Sequence, residues 1–162
     1  MVGLLVTCVA SAGAATKPSL VIKGATVTSA KKGHATAVSM IVTNETSATV
    51  WITSVTSSLS SMYMMDYDVD MLNRSSDMVA ISSIKLKAGH FITLSLKGEG
   101  AMLGSLSRAL KVGAEIPLVL GWHSRSRPIT MRLDFLARVV KGPKKLYFGG
   151  SANGSMPGMN MG

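Results

Sequence analysis

The chain has 162 residues, 47% of them apolar and 15% charged, which suits one self-supporting domain and excludes general disorder. Its formal charge is +9, but with two Trp, three Tyr and three Phe it lacks the interleaved aromatics of a nucleic-acid platform. The basic residues form a scattered, solvated face, densest in the last third at Arg125, Arg127, Arg132, Arg138, Lys141, Lys144 and Lys145, and that face suits an anionic membrane surface.

The first residues, "MVGLLVTCVASAGAATKPS", read as the end of a secretory signal: a short apolar run, then small residues with an Ala-x-Ala site at Ala12 to Ala14. The run is too short to span a membrane. A lipobox reading of "LVTC" is weakened by Thr7 just before Cys8, and a frayed hydrophobic first strand is the plain alternative. The expected organisation is a signal peptide over 1–14, a β domain over 15–145 and a tail over 146–162 rich in Gly, Ser, Asn and Met. Removal of the signal takes Cys8, the sole cysteine, with it. The mature, periplasmic chain then has neither disulfides nor thiolates, and only His, Met and carboxylates remain as metal ligands.

No segment keeps a helical period, and short Val/Ile/Thr-rich runs alternate with turn signals. Predicted strands cover 19–27, 36–44, 48–57, 78–86, 91–96, 115–122 and 129–140. "SAKKGH", "KAGH" and "KGEG" are predicted turns, and Gly104 makes 102–113 a loop or a single helical turn. Strands spaced by roughly ten residues fit an all-β, two-sheet sandwich.

Between the third and fourth of these strands lies "SSMYMMDYDVDML" (60–72), with four methionines and three aspartates. Twelve methionines in the whole chain is an unusual number. Met40 and Met131 fall in strands and need only a packing role. Met62, Met64, Met65, Met71, Met78 and Met102 gather in the middle of the sequence, and Met156, Met159 and Met161 in the tail. Thioether sulfur is soft and selects Cu(I) over hard cations, so clustered Met in a secreted chain without cysteine points to copper. Calcium competes for the carboxylates, because Asp66, Asp68, Asp70 and Asp77 fall at positions one, three, five and twelve of an EF-hand-like loop. Met71 stands where that loop needs Gly, however. His34, His90 and His123 show no ligand spacing, and no nucleophile–base set or phosphate loop is legible, so no enzyme is expected.

In order and spacing, "IVTN", "LKAGH", "GSLSRALKVG" and "IPLVLGW" resemble the periplasmic PCu(A)C copper chaperones over roughly residues 19 to 140. The resemblance implies a cupredoxin-like β-sandwich with Greek-key-type connections. It also implies a non-catalytic copper carrier that serves a copper-receiving cuproenzyme or another copper-handling protein. That family's copper motif is a His, ten residues, a Met, twenty-one residues, then His-x-Met. Laid on this chain, its methionines fall on Met78 and Met102, while Tyr67 and Gly100 occupy the histidine positions. Two thioethers are too few for a closed site, so Met64, Met65 or Met71 must supply a third. Strand alternation puts Met62 and Met64 on one side and Met65 on the other. The expected metal residues are Met78, Met102, Met71 and Met64, holding Cu(I). The alternative is an accessory or interaction module of the same fold whose copper site has decayed.

Overall fold

The computed structural model describes residues 19–72, 79–143 and 146. The expected signal peptide, Met78 and the tail methionines lie outside the described residues. Ten strands follow one another: β1 (Leu20–Thr28), β2 (Thr36–Asn44), β3 (Val50–Thr56), β4 (Ser60–Asp70), β5 (Val79–Ala80), β6 (Ile84–Leu86), β7 (Phe91–Leu94), β8 (Lys97–Leu106), β9 (Glu115–Ser124) and β10 (Arg127–Val140).

Their hydrogen-bonded order is β5-β4-β8-β2-β1-β10-β9-β3-β6, and β7 pairs with β2 beyond the stretch that β8 occupies. All pairings are antiparallel except β1 with β10, where Thr26 to Thr28 run alongside Arg138 to Val140. The two layers of the expected sandwich are therefore joined into one continuous ladder. It curls until β3, near one end of the path, packs against β4 and β8, near the other. The fold is all-β, and its core fills the space between the layers.

Period-two patterning drives this arrangement. Along β2, Val38, Met40 and Val42 point into the main core with Leu94 and Leu103 of neighbouring strands and Leu120 of β9. Turns are set by glycines in the left-handed region, such as Gly33 in "SAKKGH" and Gly89 in "KAGH".

Two predicted boundaries change, each for a physical reason. The run 78–86 divides into β5 and β6 because β5 pairs with β4 while β6 pairs with β3, at opposite ends of the ladder. The chain crosses between layers over 81–83. The region around Gly104 belongs to a strand, not to a loop or helical turn, and β8 also absorbs the predicted turn at 97–100. Gly100 and Gly104 are buried and pair with Asp66 and Met62 of β4, so they continue the strand rather than break it.

One polar side chain ties the far end of the sandwich together. Asn44 is fully buried, and its amide Nδ2 donates to the carbonyls of Ala48 at 2.8 Å and Leu86 at 3.0 Å. Its Oδ1 accepts from the Thr46 N–H at 3.0 Å and the Thr46 hydroxyl at 2.6 Å. The link joins β2, the β2–β3 turn and β6, which explains the Asn that ends "IVTN". Asn44→Ala leaves these carbonyls and the Thr46 donors without their partner. It is expected to destabilise the protein by about 2–3 kcal/mol, read as a lower urea midpoint at unchanged slope.

Candidate functional site

Alternation along β4 sorts its side chains onto two faces. Met65 enters the main core and so leaves the set of available thioethers. Met62 and Met64 take the other face. There they pack against a second, smaller apolar cluster of Ala35, Ala37, Met71 and Met102, with Leu96 and Leu146 at its margin.

The ladder between β4 and β8 fixes the spacing. Met64 pairs with Met102, Met62 with Gly104, and Asp66 with Gly100. Ala37 of β2 pairs with Met102 from the other side. On the cluster face of β8, Met102 thus stands between two glycines, Gly100 and Gly104. A register shift between Asp66 and Val69 then bends the ladder, with Gly98 opposite Val69 in the left-handed region at φ +89°. Beyond the bend, Met71 folds under the sheet margin, where its N–H donates to the Leu96 carbonyl at 2.8 Å. Met71 and Met102 are 0% and 1% exposed, whereas Met62 and Met64 are only half-buried.

Three of the four residues expected to bind metal, Met64, Met71 and Met102, are therefore brought into one cluster; Met78 lies outside the described residues. Sequence reasoning did not place Met62 in the set, although its two-residue offset from Met64 was the available signal. The EF-hand-like register does not form, because Asp66, Asp68 and Asp70 stand on a strand. His34 and His90 are exposed in turns, and His123 stacks on Trp51 with ring centroids 5.5 Å apart. Among the described residues, no three His, Cys, Asp or Glu side chains gather as a metal site. The donor chemistry available at the cluster is sulfur.

One carboxylate belongs to the same face. Asp66 follows Met62 and Met64 in the alternation, is 1% exposed, and has no hydrogen-bond partner on either carboxylate oxygen among the described residues. Burial pushes its carboxyl above the ordinary value of 3.8, since no donor offsets the lost hydration of the charged form. Nearby, Lys97 of β8 is engaged with Asp70, at 3.5 Å.

The LpqE-like family model, described as "Putative lipoprotein LpqE-like", matches residues 20–130. No curated protein sequence matches the chain. Among solved structures, the fold is similar to the copper-bound PCuAC domain from PmoF2, at 14% identity and a TM-score of 0.62, over 79% of this chain and 97% of that one. It is also similar to the apo PCuAC domain from PmoF1, at 14% identity and a TM-score of 0.60, over 76% of this chain and 95% of that one. Apo-DR1885 from Deinococcus radiodurans is 21% identical with a TM-score of 0.54, over 88% of this chain and 92% of that one.

The position of Asp66 makes stability depend on pH with a definite sign. A carboxyl whose folded pKa is raised contributes its full stability below the unfolded value, and that contribution is lost as the pH rises through the folded value. Asp66→Asn removes this loss. In metal-free protein the variant is expected to gain on wild type as the pH is raised from 3.8 towards neutrality, with thermal melting across that range as the measurement.

Proposed function

This chain belongs to the LpqE-like family, and from that premise we propose that it is a non-catalytic, extracytoplasmic copper-binding protein that carries Cu(I) on methionine thioethers. The observation that carries the reading is the convergence of Met62, Met64, Met71 and Met102 in one small cluster, separate from the main core. Methionines recruited only to fill gaps would be distributed through the larger core, as Met40 and Met65 are. The copper-bound state of a domain with the same fold supports the choice of metal. Thioether softness supports the choice of oxidation state.

The geometry suits a carrier. Met71 and Met102 form a shielded floor, while Met62 and Met64 reach solvent and can meet an incoming or departing ion. Thioethers carry no proton at any ordinary pH, so ligand exchange needs no titration step. Hand-over to a cuproenzyme or another copper-handling protein then proceeds through the half-exposed rim. Tyr67 and Gly100, at the histidine positions of the PCu(A)C motif, leave the work to sulfur. Met78, on that motif's register, is assigned to the same ligand set.

A cleaved leader over 1–14 delivers the domain outside the cytoplasm, a placement that the lipoprotein wording of the family description supports. The basic C-terminal third then faces an anionic membrane surface. The second reading, an accessory module with a decayed copper site, draws on the loss of both motif histidines.

A competitive Cu(I) titration separates the two. The full mature chain is expected to bind tightly near one equivalent. Met64→Leu combined with Met102→Leu, which keeps core volume within about 1.5 kcal/mol per site, is expected to lose that binding while staying folded. Replacement of Met156, Met159 and Met161 by leucine is expected to leave it intact. Loss with the tail substitutions, or no binding at all, establishes the accessory reading instead.

A further inference from the structure

The buried carboxylate of Asp66 takes no part in the hydrogen bonding of the fold among the described residues. It is 1% exposed, and removing such a charge from water without a partner is strongly unfavourable. Buried polar groups in native proteins are satisfied, and those that are not call for an absent partner. A missing hydrogen-bond donor is one candidate, but the described side chains around Asp66 supply none. Across the ladder it faces Gly100, which has no side chain, and on its other flank it pairs with Ala80. On its own strand, the next residues along the same face are Met64 and Met62.

The surroundings of the carboxylate match what a thioether site lacks. A soft monovalent cation held only by neutral sulfur keeps its full positive charge in a dry setting, and that charge is unstable there without a counter-ion. A lone carboxylate beside the sulfurs has the reciprocal defect. Gly100 matters in the same way: on the PCu(A)C register it takes a histidine position, and it pairs with Asp66 across the ladder.

We propose that Asp66 is the anionic ligand of the methionine cluster, so that the site takes one soft monovalent cation, Cu(I) or Ag(I), as a charge-neutral unit. The proposal rests on the copper reading above and adds a ligand and a selectivity to it. A divalent ion would leave one charge unbalanced in the same setting, and so the site discriminates by charge as well as by softness. The carboxylate supplies an oxygen to the ion and fixes it at the β4–β8 pairing, while the thioethers set its soft character.

Affinity for Ag(I), a redox-inert probe, and for Cu(I) is measured by competition on the full mature wild type and on Asp66→Asn, which keeps side-chain shape and removes the charge. The variant is expected to bind both ions about 100-fold more weakly, in the range seen when one partner of a buried charge pair is lost. X-ray absorption of the Cu(I)-loaded wild type is expected to show sulfur neighbours together with a light-atom neighbour. Equal affinity in the two proteins, or a shell of sulfur alone, overturns the assignment of Asp66 and leaves the thioether reading standing. Absence of binding by the wild type overturns both.

Discussion

The register between β4 and β8 is the constraint on which the rest depends. With a side-chain period of two, a slip of one residue would send Met62, Met64 and Asp66 into the main core and bring Tyr63 and Met65 out onto the second cluster. Met65 packs against the main core and guards against that slip, since its loss from the interior would expose a large apolar side chain. Gly100 and Gly104 mark the same register on the other strand, opposite Asp66 and Met62. A requirement of ordinary packing therefore determines which methionines can meet.

The molecule consequently has two apolar regions with different duties. The larger lies between the layers, is rich in Val, Leu and Ile, and holds the curl of the ladder closed. The smaller, on the outer face of β4, β8 and β2, is made largely of Met and Ala. Unbranched Met side chains pack adequately there without demanding one arrangement. Asp66 introduces a local instability into this smaller region, and the main core and the Asn44 network are large enough to tolerate it. A destabilised group beside a well-supported framework is a common signature of function.

Much of this was legible from the residues. The all-β class, the strand at 36–44 and the opposite facing of Met64 and Met65 all follow from alternation, which is a local property. The family resemblance was legible too, because pieces such as "IVTN" sit where buried backbone carbonyls require a specific side chain. What sequence could not show was pairing. The run 78–86 looks like one strand until its two halves are found bonded to different layers. Gly104 looks like a breaker until β4 is found paired beside it. The closure of Met71 onto Met102 depends on a bend after Asp66 that no pattern in "DYDVDM" announces. In the sequence Asp66 is only the first aspartate of an EF-hand-like register, since its burial comes from strands distant in sequence.

The contrast between the shielded and the half-open methionines has a chemical consequence of its own. Any thioether that solvent can reach is also within reach of peroxide, and oxidation turns a soft, apolar side chain into a polar sulfoxide. Met62 and Met64 at the rim are vulnerable in this sense, whereas Met71 and Met102 are sheltered by the sheet. Oxidative damage to the cluster therefore begins at its mouth and spares its floor. The fold outlasts the lesion, and a reductase acting on the two surface sulfoxides could restore the cluster without unfolding the protein.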